Sequence, residues 1–176
     1  MGTAADLSPA FREARSTLQE CMLFLGALAA GIEEAVGPTA KSITYVAGKE
    51  LGKRFSVDVE KTDDIERALV VVQQVLERNH CLWSYEPFKP KAQPVLVTRR
   101  GTEDEVMLVF RDCMIRQSLF LYGHAQKGSL CNMMFGFFAG ALETIMGCQS
   151  NLEIVHAGEN ACYKRLTVAR EPAAGR

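Results

Sequence analysis

The stretch CNMMFGFFAGALETIMGCQSNLEIVHAGENAC, from Cys131 to Cys162, holds the residues of this chain best suited to chemistry. His156 and Cys162 flank a tight turn, so a β-hairpin would bring them close together. Cys131 opens an apolar segment that could fold back to the base of that hairpin. One imidazole and two thiolates are good zinc ligands, and a carboxylate can complete a four-coordinate structural site. Glu153 is the nearest acid. Residues three apart on a regular strand point to opposite faces, so Glu153 and His156 can share an ion only across a twist or a bulge. Cys113, Cys148 or water are the other candidates for the fourth position. Without a metal, Cys131 and Cys162 read as buried thiols and His156 as a surface imidazole.

A second group of residues is aromatic. Trp83, Tyr85, Phe88, Phe110, Phe120 and Tyr122 come from strand-like stretches and the segment after them, and Phe135, Phe137 and Phe138 from the apolar segment. Apolar pockets with a few polar groups typify small-molecule sites, and His80 or Tyr122 could orient a hydroxyl there. The competing reading is an ordinary aromatic core between sheet and helices. His124, among loop-forming residues, reads as solvated. No dinucleotide fingerprint, P-loop or nucleophile elbow is present, so nothing offers a seat for a hydride donor or an activated serine. A non-enzymatic protein is expected.

These residues need elements to position them. Ser8-Pro9 opens a segment in which Phe11, Ala14, Leu18, Cys21, Met22, Leu25, Leu28 and Ile32 recur at helical spacing, stopped by Gly37-Pro38. Ile43, Ala47, Leu51 and Phe55 mark a second helix, on which Gly48 and Gly52 would let a neighbouring backbone approach closely. A third helix follows the capping run Thr62-Asp63-Asp64. From Cys81 the pattern favours strands: CLWSYE, then PVLVTRRG and EVMLVFRD joined through Gly101. SLCNMMFGFFAGALETIMG is apolar nearly all round and must be covered on most sides if helical. NLEIVHAGENACYKRLTV reads as a closing hairpin. The order predicts an α+β fold: N-terminal helices packed on an antiparallel sheet, with a late apolar helix and a C-terminal hairpin. One domain is expected over residues 1–176, with 169–176 a frayed tail.

The 176 residues, 48% of them apolar and 23% charged, suit a globular protein with a genuine core. A net charge of −1 gives no support for nucleic-acid binding. The apolar runs are short for a membrane span, and the opening MGTAAD carries Asp6 where a myristoylation signal needs Ser or Thr. Cytoplasmic placement is therefore the expectation, and there the six cysteines would be thiols or metal ligands rather than a disulfide framework. Cys21 and Cys81 read as small core residues.

The C-terminal half resembles the 4-vinyl reductase domain family. Cys131 is followed by Gly136, Gly140 and Gly147 at the family's offsets, Glu153-Ile154-Val155-His156 stands at its Glu-x-x-Cys step, and Gly158 to Cys162 closes its turn. GPTAKSITYVAGKELGKRF, with Gly48 and Gly52, resembles the family's second helix. The resemblance implies a fold akin to the transport-particle subunits of vesicle tethering, and a role as sensor or carrier of small hydrophobic ligands: aromatics, hydrocarbons or tetrapyrroles. It also implies a structural zinc on Cys131, Glu153, His156 and Cys162. His156 replaces the usual cysteine, and the last turn is shorter than in the aromatic sensors. The implied ligand contacts lie near Trp83 and Phe110. Together these readings give His80, Trp83, Tyr85, Phe110, Tyr122, Phe135 and Phe138 as expected ligand-binding residues. A homodimer through the first two helices, around Ala29, Ala30 and Gly31, and a separate protein partner are further expectations. The alternatives are an assembly adaptor with a filled core and, more remotely, an auxiliary protein in chlorophyll-type vinyl reduction.

Overall fold

The computed structural model describes residues 9–81, 83–89, 95–111, 113, 115, 126–158 and 161–169, with backbone alone at 9–12, 14 and 15. Three helices lead: α1 (Pro9–Val36), α2 (Thr39–Phe55) and α3 (Ile65–Arg78). The punctuation expected from sequence is where they begin and end. Gly37 takes a positive φ of 62° that ends α1, and Pro38 follows it directly. Asp64 caps α3, its carboxylate accepting from the Glu66 and Arg67 amides at 2.8 and 3.5 Å. Ile65, Ala68, Leu69, Val72, Val75 and Leu76 bury one face of α3.

The strands β1 (Glu86–Pro87), β2 (Val97–Arg100), β3 (Glu103–Arg111), β4 (Ser150–Ala157) and β5 (Ala161–Ala169) form one antiparallel sheet. β5 lies between β3 and β4, while β1 and β2 pair with successive parts of the other edge of β3. The β2–β3 turn runs through Gly101 at φ 59°, a left-handed conformation that costs glycine little. Strand alternation sorts the residues: Val106, Leu108 and Phe110 of β3 and Cys162, Lys164, Leu166 and Val168 of β5 are buried on the inner face.

Against that face lies α4 (Ser129–Met146), between the sheet and α2. Its length and apolarity would suffice for a membrane span, and packing on two sides accounts for both. Met134, Phe138, Ala141, Leu142 and Ile145 are buried, while α2 covers the glycine side. There, a Cβ on Gly48, Gly52, Gly136 or Gly140 would overlap the main-chain carbonyl oxygen of Met133, Phe137, Tyr45 or Lys49 respectively. The two helices cross backbone to backbone, as Gly48 and Gly52 predicted. Lys49 and Lys53 clamp the crossing by ion pairs to Glu143 at 2.7 and 2.9 Å, holding its carboxyl below the usual range. At the other end, the Glu33 carboxylate of α1 accepts the first amide of α4, from Ser129. That bond holds Glu33 below its ordinary pKa.

The helical stripe on α1 is the clearest departure from expectation. Of the residues assigned to its inner face, Met22 is buried, but Cys21, Leu25, Leu28 and Ile32 are exposed. The periodicity correctly gives the helix, but α1 touches the body along a narrower seam than its apolar content allows.

Candidate functional site

Between α4 and the inner face of the sheet, five aromatic rings form a connected cluster. Trp83 packs edge-on against Phe137 (5.5 Å between centroids), Phe137 against Phe138 (6.3 Å), and Phe138 against both Phe110 (5.6 Å) and Tyr85 (5.3 Å). Tyr85 closes the ring of contacts on Phe110 at 5.4 Å. The polar tips of this cluster are unequal. The Tyr85 hydroxyl donates to the Leu69 carbonyl of α3, and burial pushes its pKa far up. The buried Trp83 indole Nε1, by contrast, has no acceptor among the described residues. A donor in that state costs about 1–3 kcal/mol relative to a satisfied one. Beside the cluster, a groove of about 590 Å3 runs between α3 and the β1–β2 edge, with Tyr85, Leu69 and Leu96 among its lining.

Four of the expected ligand residues, Trp83, Tyr85, Phe110 and Phe138, therefore sit together. Phe135 is half-buried one step along α4. His80 does not join them: it is exposed at φ 52°, in the turn that ends α3, where its amide donates to the Glu77 carbonyl. Tyr122 lies outside the described residues, as do Phe120 and His124. Phe88 faces the other way and stacks edge-on with Tyr163 on the outer side of the sheet, at 5.2 Å.

The four expected zinc ligands are not assembled. The bulge that a shared site required does exist, between Ile154 and His156, and it puts Glu153 and His156 on one face opposite Arg165 and Tyr163. That face is the outer one. Cys162 pairs with Phe110 and Ala157 and is buried on the inner face, and Cys131 is buried on α4. The sheet thus separates the two thiols from the carboxylate and the imidazole. Glu153 is moreover engaged by Arg165 at 2.8 Å, within a network that includes Glu105 and Arg100. His156 lies against Gly158 at the hairpin turn. Among the described residues no three histidine, cysteine or acidic side chains converge as a metal site. Among the described residues the set Cys131, Glu153, His156 and Cys162 thus does not come together around one ion as the resemblance implied.

What the inner face holds beside Cys131 and Cys162 is a lysine. Lys164 is 1% exposed. Its Nζ lies 2.8 Å from Met134 Sδ, 4.0 Å from the centroid of Phe110 and 5.4 Å from that of Phe135. Cys113, Cys131 and Cys162 are near enough to act on it electrostatically; burial outweighs them and pushes its pKa down. Burial likewise pushes the Cys131 thiol up. Sequence reasoning missed this residue, although the signal was there. In ACYKRLTVA, Cys162, Lys164, Leu166 and Val168 share one parity, so a strand that buries its cysteine must bury its lysine.

No family model matches the chain, and no curated protein matches it. Among solved structures, it is similar to the phenol-responsive sensory domain of the transcription activator PoxR, crystallised with phenol. That likeness has a TM-score of 0.57 at 15% identity, over 93% of this chain and 92% of that one. The two chains share a fold. A vinyl-4-reductase family protein from Methanocaldococcus jannaschii aligns over 94% of this chain and 99% of its own, at 14% identity and a TM-score of 0.48. The α+β architecture expected from sequence, with helices on an antiparallel sheet and a closing hairpin, is thus one that a ligand-sensing domain also uses.

Proposed function

We propose that this protein binds a small hydrophobic, aromatic molecule in the layer between α4 and the inner face of the sheet, as a non-enzymatic sensor or carrier. The observation that carries the reading is the Trp83 indole: a buried donor without an acceptor among the described residues, set among four other rings. A core selected for packing alone would put phenylalanine there or give the N–H a partner. An oxygen-bearing aromatic ligand offers the missing acceptor, and the rings offer it edge-to-face contacts of about 0.5–1.5 kcal/mol each. The PoxR domain, with the same fold, is phenol-responsive. Tyr85, Phe110 and Phe138 complete the proposed lining, and Phe135 borders it. In this reading residues 1–176 act as one cytoplasmic unit. Self-association uses the exposed apolar side chains of α1 and α2, Phe24, Leu28, Ile43 and Val46 among them, and signalling passes to a partner protein.

Calorimetric titration of the purified chain with phenol, 4-ethylphenol and ethylbenzene tests the reading, beside a Trp83→Phe variant. Saturable one-to-one binding of the phenols, weakened in the variant while its fold is kept, is the expected result. A chain that takes up none of the three, and carries no apolar molecule in native mass spectrometry, would instead be an adaptor with a filled core.

A further inference from the structure

Lys164 is a cation-forming side chain enclosed in the core, and its partners among the described residues include no oxygen. An ammonium carries three donors, whereas its described partners are a thioether, two ring faces and nearby thiols. Sulfur accepts weakly, and ring faces attract a cation without replacing its hydration. Buried charges are ordinarily paired with a carboxylate or metal-bound. The acidic side chains nearest in the sheet, Glu105 and Glu153, lie on the outer face and are committed to Arg100 and Arg165. Leucine or methionine would fill the position without that cost, as Leu166 does one step along the same row.

A second feature agrees with the first. Lys164 lies over Phe110, which belongs to the same cluster as Trp83 through Phe138 and Phe137. The aromatic layer thus has a donor at each end, an indole N–H and an amine, and no acidic group between them among the described residues. Among the described residues, an indole N–H without an acceptor and an amine with only a thioether to accept from it define the complement: a flat apolar body carrying an acidic oxygen.

We infer that the ligand of this site is a hydrophobic acid, an arene carboxylate or a comparably acidic hydroxyarene, whose anionic oxygen is received by Lys164. This rests on the aromatic-ligand reading and narrows it from arenes in general to acids. Lys164 is then the residue that sets specificity, and the ligand supplies a counter-charge that the described residues do not.

The experiment compares 4-propylbenzoate with its amide, 4-propylbenzamide, and with propylbenzene, by calorimetry on the full chain and on Lys164→Met. Methionine keeps the apolar stem and removes the charge, and circular dichroism verifies that the variant folds. The acid should bind the wild type about ten- to a hundredfold more tightly than the amide, the range for a hydrogen bond to a charged group. In the variant that preference should vanish while propylbenzene binds as before. If the arene and the amide bind the wild type as well as the acid does, the inference is overturned and the aromatic-ligand reading stands. If none of the three binds, both are overturned. The wild-type comparison decides the matter even if Lys164→Met does not fold.

Discussion

Replacing Gly136 by alanine should destabilise the protein even though alanine is the better helix former. In an open helix the exchange gains about 1 kcal/mol of propensity. At Gly136, however, the new Cβ would meet the Tyr45 carbonyl oxygen of α2 well inside the 3.0 Å that Cβ atoms essentially never cross, and the Lys49 amide at 2.9 Å. Those atoms are backbone, so no rotamer change relieves the overlap. The helices must part by about 1 Å, which also forfeits dispersion contacts along the Gly48, Gly52 and Gly140 crossing. Overpacking costs about 1–3 kcal/mol, and a backbone clash belongs at the upper end. The net loss should be about 2 kcal/mol, or a fall of roughly 4–8 °C in melting temperature at this chain length. Gly31→Ala is the matched control: it sits in α1 with nothing within 4 Å of the added carbon. That variant should gain up to about 1 kcal/mol. Urea unfolding followed by far-ultraviolet circular dichroism reads both, with unchanged m-values showing that the unfolding remains comparable. Equal stabilisation by the two substitutions would refute the backbone-to-backbone crossing, and with it the placement of Phe137 and Phe138 against the sheet.

Two further predictions use groups outside the aromatic layer. With a thiol reagent on the native protein, exposed Cys21 should react fast, half-buried Cys81 and Cys148 more slowly, and Cys113, Cys131 and Cys162 only on unfolding; rapid labelling of Cys131 or Cys162 in peptide mapping would contradict the burial of the inner face. Glu33 has its pKa lowered in the fold, so its contribution to stability is present above the ordinary glutamate range and is lost as pH falls through the folded value. Glu33→Gln should therefore flatten the acid limb of the stability profile below about pH 4.5, and an unchanged limb would rule out the cap on α4.

The elements were largely legible in the sequence because their signals are local. Gly37-Pro38, Asp64 and Gly101 act within a turn, and each stands where its chemistry predicts. The glycine spacing of α2 gave the close approach for the same kind of reason: only a missing side chain permits it. What failed depends on which neighbour covers a face. The apolar stripe of α1 fixes its period, but not whether Leu25, Leu28 and Ile32 meet the body of the protein or solvent. His80 looked like a polar group at the edge of an aromatic strand; instead the chain is still leaving α3 there, and the strand begins only at Glu86.

The residues expected to share a metal are parted for a subtler reason, and the same geometry accounts for what lies between them. Parity along β4 first argued against Glu153 and His156 acting together, and the bulge at Val155 removes that objection. A bulge, however, re-aims only its own strand. β5 runs without one along its whole pairing with β3, from Ala161 to Ala169, so Cys162 stays in phase with Lys164 and Leu166, facing α4. Uniting the thiols with Glu153 and His156 would need a second irregularity, in or before β5. Without it the sheet acts as a partition: ion pairs of Glu105, Glu153 and Arg165 occupy the outer side, while the described residues around Cys162 on the inner side offer sulfur, aromatic rings and the Lys164 amine. On that inner face Lys164 stands in phase with Cys162 and within electrostatic reach of Cys113 and Cys131, an enclosed amine open to the anionic partner proposed above.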